Sequence, residues 1–315
     1  MNAAGVGGPT GLLLIDKPGG VTSHDVVARV RAILSTRRVG HAGTLDPMAT
    51  GLLVVAVGRA TKLLGHLAMA EKSYTATIRL GESTDTDDAE GKVISSRDAS
   101  ALSPDDIRSG MTPFTGDIEQ VPSSYSAIKV GGRRAYDLAR SGQDVALAAR
   151  RITVARFEPV AALRRVEDCL DVDVAIDCST GTYVRALARD LGERLGVGGH
   201  LTALRRTAIG PFEVAEAIDV FPDGVLPRGE PRPPIGDELR ARTGSSVMPV
   251  STAVGRALPT RVVGRELAAD LRFGRRIPAA GIVGTYAVTD SAGAFLALVT
   301  EDGPVAKPVF VWNAE

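Results

Sequence analysis

The sequence predicts an α+β protein: a large region that mixes strands with helices, followed by a small β-rich unit. Three observations predict it. From residue 11 to about 210, apolar or alternating runs of strand length are interspersed with capped, helix-like segments. Residues 221–247 then turn rich in Pro, Gly and charge, a composition that disfavours a packed element and reads as a linker or irregular edge segment. From residue 248 onward, short runs such as "RVVGREL", "GTYAVTD", "AFLALVT" and "VAKPVFVWN" fall between turns.

The elements follow in order. After ten residues expected to be flexible, "GLLLIDK" is an apolar strand-like run, "KPGG" a turn, and a helix starts from Thr22 or Ser23. "LLVVAVG" is a second apolar run. In "KSYTATIRLG" the alternation puts Ser73, Thr75 and Thr77 on one face and Tyr74, Ala76 and Ile78 on the other, so Tyr74 faces an apolar layer or a cleft. "STDTDDAEGKV" reads as a polar connection whose acids solvate a turn. "SPDDIRSGM" reads as a short helix capped by Ser103, with Pro104 in its first turn. The stretch "TGDIEQVPSSYSAIKVGGRRAYDLARSG" combines turn signals, aromatics and bases. That suits an element reaching over a ligand, or a short helix packed through Tyr136, Leu138 and Ala139. "RITVARFEPV" and "CLDVDVAIDCS" read as strands, and "GTYVRALARDLGERLG" opens a helix. Arg185 falls near the start of that helix, beside the positive end of its dipole, a place that calls for an anionic partner unless the side chain faces solvent.

Composition sets bounds. Lys plus Arg and Asp plus Glu are both 37, so net charge gives no push toward nucleic acid, but its distribution is uneven. Residues 123–156 hold seven basic and two acidic side chains, and residues 82–90 hold five acids and no base. No run approaches the roughly 20 apolar residues of a membrane span. The opening "MNAAGVGGPT" lacks a signal core, and Cys169 and Cys178 make no disulfide framework, so a cytoplasmic protein with reduced thiols is expected. Four scattered histidines (His24, His41, His66, His200) specify no metal site, the acids at Asp85, Asp87 and Asp88 lack a full calcium-loop pattern, and no nucleotide-binding glycine motif or serine elbow occurs.

What remains is "VGHAGTLDPMATG", residues 39–51: one acid, Asp46, in a glycine-punctuated connection between ordered flanks. A lone Asp-Pro is more often a structural turn. Together with a strand tyrosine, a helix-start arginine and basic loops, it also suits a nucleotide-isomerising site or a nucleic-acid binding module without catalysis.

Five blocks tilt that balance. "LLLIDKPGGVTSHDVV", "GHAGTLDPMATGLLVVAVGRATKL", "KSYTATIRLG", "GDIEQVPSSYSAIKVGGRRAYDLARSG" and "DCSTGTYVRALARDLGERLG", in that order across most of residues 11–210, resemble the bacterial tRNA pseudouridine synthases that modify uridine 55 of the TΨC loop. The resemblance implies a pseudouridine synthase fold, with a mixed, largely antiparallel central sheet and flanking helices, over residues 11–220. It also implies a thumb-like RNA-binding segment at 117–145 and a PUA-like RNA-binding domain at 248–315. By the same resemblance Asp46 is the invariant acid, with Tyr74 and Arg185 beside it, and Leu204 in "TALRR" shapes the pocket. Lys17 and His41 match positions near the RNA cleft, and Lys129, Arg133 and Arg134 are placed to meet the stem-loop. The reaction implied uses no cofactor and no metal. Its partner is the tRNA TΨC stem-loop, without guide RNA or membrane, and the enzyme is expected to be a monomer. The rival is a noncatalytic RNA chaperone on the same architecture.

Overall fold

The computed structural model describes residues 8–67, 70–126, 128–130, 132–134, 147–225, 230 and 233–312. The first eighty residues supply strands β1 (Gly11–Lys17), β2 (Val39–His41), β3 (Thr50–Val57) and β4 (Lys72–Leu80). A polar hairpin follows, β5 (Glu82–Thr84) and β6 (Val93–Ser96), then β7 (Gly116–Gln120) and a short hairpin of β8 (Lys129–Val130) and β9 (Arg133–Arg134). The region closes with β10 (Arg150–Pro159), β11 (Arg164–Val166), β12 (Cys169–Cys178), β13 (Gly199–Ile209) and β14 (Phe212–Glu213). The central sheet runs β1-β3-β13-β4-β12-β10-β7, with β2, β14 and β11 attached to β3, β13 and β12. Its β3–β13 pair is parallel and its other pairs antiparallel, so the sheet is mixed and largely antiparallel.

Burial explains the patterns. The continuous apolar runs of β1 and β3 are covered on both faces: Leu13, Ile15, Leu53 and Val55 pack with Val26, Val27, Val30 and Ile33 of the helix Ser23–Ile33, while Leu12, Leu14, Leu52 and Val54 face the carboxyl-terminal unit. Thr22 caps that helix through a reciprocal bond with Asp25, and Ser103 does the same with Asp106 for the helix Pro104–Met111. β4 buries alternate residues, Tyr74, Ala76 and Ile78 among them, into the second apolar cluster. The thiols of Cys169 and Cys178 sit free at opposite ends of β12.

The carboxyl-terminal unit is a curled five-stranded sheet, a half-barrel, of β15 (Thr260–Val263), β16 (Ile277–Pro278), β17 (Tyr286–Asp290), β18 (Phe295–Asp302) and β19 (Val305–Val311), ordered β15-β17-β18-β19-β16. One face has its own core around Leu271, Tyr286 and Val288; the other, with Ala287, Phe295 and Leu298, joins the cluster of Leu12 and Val54. Backbone pairing adds to this contact, since Leu12 and Met248 exchange hydrogen bonds of 3.0 and 2.7 Å. Leu14 and Asp16 are bonded in the same way to Ile218.

Two readings change. The Pro/Gly-rich stretch 221–247 contains a helix, Asp237–Ser245, whose Arg240 donates to the Ala32 and Ile33 carbonyls and so serves the end of the helix Ser23–Ile33. The thumb-like segment expected from residue 117 begins with β7, which is part of the central sheet and pairs with β10. Residues 135–146, including Tyr136, Leu138 and Ala139, lie outside the described residues. Residues 1–7 also lie outside them.

Candidate active site

Asp46 lies in the connection between β2 and β3, which is fastened at nearly every residue. Ala42 N–H donates to Val54 O at 2.9 Å. The buried Ser23 hydroxyl both accepts from Leu45 N and donates to Leu45 O, at 2.9 and 3.1 Å. Ala49 N–H closes a turn on the Asp46 carbonyl, and Gly20 N–H, from the "KPGG" turn, holds the Pro47 carbonyl at 2.9 Å. From below, Arg206 donates to the carbonyls of Gly43, Thr44 and Leu52, bracing both ends of the connection. At Gly51, with φ +100°, a Cβ would meet the Arg206 carbonyl oxygen at 2.2 Å, which requires glycine here.

The acid's partner comes from the helix Val184–Arg194. Arg185 Nε stands 2.9 Å from Asp46 Oδ2; the carboxylate is 35 % exposed and the arginine side chain 6 %. The Nε–H makes no well-aligned hydrogen bond, so the pairing is chiefly Coulombic. Arg185 is held independently of Asp46: Nη1 donates to Thr86 O and Nη2 to Tyr125 O, both at 2.8 Å, and Asp88 Oδ2 lies 3.3 Å from Nη1. The helix start therefore has the anion that its dipole called for, in two carboxylates. The acids of the β5–β6 connection do not simply solvate a turn: Asp87 and Asp88 are buried, and burial raises the Asp87 carboxyl above its ordinary range. Asp85 does remain exposed, accepting from Lys92 N–H.

The sheet supplies the wall. Tyr74 on β4 and Leu204 on β13 join Leu45 and Ala49 in one apolar cluster, with Tyr74 opposite Arg206 in the register. Burial pushes the Tyr74 phenol up, and the neighbouring Arg206 opposes that only in part. His41 is half-buried and edge-on to His24 at 5.6 Å. Burial holds its pKa below the ordinary histidine value, and His24 adds to the effect. Arg206, 1 % exposed, is a functional candidate that sequence reasoning passed over; the paired arginines of "TALRR" were its only signal. Alternation on β13 sends Arg206 inward, while Arg205 turns out to a two-point contact with Asp16. The side chains of Lys129, Arg133 and Arg134 lie outside the described residues; their backbone forms the β8–β9 hairpin.

Lys17 requires a correction. Expected at the RNA cleft, it is fully buried, and its amine donates to Pro18 O, Val21 O and Pro47 O at 2.9, 2.8 and 3.2 Å, which uses every N–H it has. It ties the loop from inside. Burial lowers its pKa from 10.5 to about 8, against the pull of Asp46. Because the unfolded chain keeps this proton up to 10.5 and the folded chain only to about 8, the group's contribution to stability rises as pH climbs through that window. Lys17→Met takes the amine from the Pro18 and Val21 carbonyls and leaves Pro47 only its bond from Gly20 N–H, and it is expected to destabilise the fold by about 3 kcal/mol. A lowered urea midpoint at unchanged slope checks this; an unchanged midpoint refutes it.

Among the described residues, no group of three or more His, Cys, Asp or Glu is arranged to hold a metal ion, and no helix is long and apolar enough to cross a membrane. Residues 31–184 match the model of the TruB family pseudouridylate synthase N-terminal domain. Residues 185–220 match the tRNA pseudouridylate synthase B C-terminal domain, and residues 258–313 the C-terminal part of tRNA pseudouridine synthase II. The chain is 52 % identical over 303 residues to tRNA pseudouridine synthase B of Nocardia farcinica, covering 96 % of this chain and 92 % of that one. The chain belongs to the TruB family. A second member, from Mycobacterium bovis, is 51 % identical over 305 residues, covering 96 % of this chain and 95 % of the other. A crystal structure of a Cbf5-Nop10-Gar1 complex superposes with a TM-score of 0.69 at 27 % identity, covering 96 % of this chain and 84 % of that one. The family matches span the Asp46 loop, β4, the Arg185 helix and β13 together, the elements that converge on the site.

Proposed function

We propose that this chain converts uridine 55 in the TΨC loop of tRNA to pseudouridine, with Asp46 as the acid that meets the sugar. One observation carries the role of Asp46: its partly exposed carboxylate stands 2.9 Å from the buried Arg185 guanidinium. The reaction breaks the bond from uracil N1 to ribose C1′ and rejoins the base through C5; C5 gives up a proton and N1 gains one, so no atoms or electrons are drawn from a cofactor. Asp46 either attacks C1′ or takes a sugar proton to give a glycal-like species. Both routes need a carboxylate that faces the sugar, and the attraction of the buried Arg185 charge holds Asp46 in place. The Tyr74 phenol, raised by burial, keeps its proton at neutral pH, so Tyr74 stacks on the base and offers a hydroxyl without serving as a phenolate. Leu204 completes the wall, and His41 takes the space that the flipped nucleotide vacates.

Extruding the uridine costs a few kcal/mol, which contacts to the RNA must offset. Arg133 and Arg134 make these through phosphate. Replacing both with Gln is expected to weaken tRNA binding and to make the slope of log affinity against log salt shallower by about 1 to 2, with little change in saturated single-turnover rate. An unchanged affinity and slope would reject the phosphate contacts. The enzyme acts as a cytoplasmic monomer without guide RNA. The deciding experiment incubates purified protein alone with unmodified tRNA and maps pseudouridine nucleotide by nucleotide. Product at position 55 supports the reading, and tRNA bound without product overturns it.

A further inference from the structure

Residues 120–125 run from the last residue of β7 toward the β8–β9 hairpin, and four of these six residues are fastened to one small region around the Arg185 helix. The buried Gln120 side chain exchanges two hydrogen bonds with the Tyr183 backbone, at 3.0 and 2.9 Å. The Val121 carbonyl accepts from Arg189 Nη2 at 2.8 Å. Ser123, 0 % exposed, donates to Asp87 Oδ2 at 2.7 Å, and Arg189 Nη1 reaches the same oxygen at 3.4 Å. The Tyr125 carbonyl accepts from Arg185 Nη2 at 2.8 Å. A plain connection is solvated and needs no such fastening. Asp87 is also in the left-handed region, at φ +60°, a conformation that persists in a non-glycine residue where its surroundings over-determine it.

We propose that Ser123 and Arg189 are positioning residues for the isomerisation: by gripping Asp87 and Val121 they seat the 120–125 segment so that the Tyr125 carbonyl holds Arg185 against Asp46. Neither touches Asp46 itself. Their effect passes through the Arg185 guanidinium, whose two outer nitrogens are committed to Thr86 and Tyr125 while Nε faces the acid. The inference rests on the reading of Asp46 as the reacting group.

The test measures saturated single-turnover rate and tRNA affinity separately, in Ser123→Ala and in Arg189→Gln, whose side chain is partly exposed and tolerates exchange where the buried serine does not. Each is expected to slow the step about tenfold, the scale of a misplacement well under 1 Å, with affinity unchanged within about twofold. The deciding comparison repeats both substitutions in an Arg185→Lys background. Because they act through the arginine they replace nothing further there, and the second loss is expected to shrink to within about twofold, whereas a general defect in folding would multiply in full. Multiplicative losses, a loss confined to affinity, or a normal rate in both single variants would each overturn the positioning role. If the unsubstituted protein makes no pseudouridine at position 55, the functional reading fails instead, so the two failures are distinguishable.

Discussion

Asp46→Asn is expected to lower isomerisation at least about 10⁴-fold, the scale of losing a reacting group outright. Much of the tRNA affinity should survive. An amide has nearly the shape of the carboxylate but neither attacks C1′ nor accepts a sugar proton. The site should keep its form as well, because Arg185 is tied to Thr86, Tyr125 and Asp88 whether or not residue 46 carries a charge. Product formation at saturating enzyme, tRNA binding and a thermal melt would be measured on the same preparation. Near-normal product from a folded, tRNA-binding variant would remove Asp46 from the chemistry.

Arg185→Met is expected to slow saturated turnover at least about a hundredfold, what a misplacement of about 1 Å costs a reacting group. It should also weaken the fold, by about 3 kcal/mol, since breaking one side of a buried charge pair leaves the other side uncompensated. The side chains and carbonyls abandoned are those of Asp88, Thr86 and Tyr125. Asp46, one-third exposed, is the member that water can still serve. Overall tRNA affinity should fall much less than turnover, because no RNA contact is assigned to this buried residue. An unchanged turnover would show that the 2.9 Å pairing has no part in catalysis.

Local signals were legible in the sequence where short-range chemistry decides. The Thr22 and Ser103 caps, the alternation around Tyr74 and the misfit of a cation at the Arg185 helix start are all settled within a few residues. Burial of charge was not legible. Five acids in residues 82–90 read as a solvated turn because the arginines that meet Asp87 and Asp88 lie about a hundred residues downstream, brought close only by the β4–β12–β13 arrangement. Lys17 was misplaced for the same reason: nothing around a lysine that ends an apolar strand announces that three carbonyls will surround its amine. At "RR" in "TALRR", a period of two says that the arginines point apart. It does not say which one goes inside.

The outer edge of the central sheet has a consequence for solubility. β1 is apolar along almost its whole length, and it ends the sheet, so its unpaired backbone would be a template for another chain's strand. Two later segments occupy that edge, Ile218 beside Leu14 and Asp16 and Met248 beside Leu12. The protein thus guards against edge-to-edge self-association with its own chain. A product clipped ahead of Ile218 would keep Asp46, Tyr74, Arg185 and Leu204 yet present a bare, largely apolar strand edge, making it a seed for aggregation before it could act as a smaller enzyme.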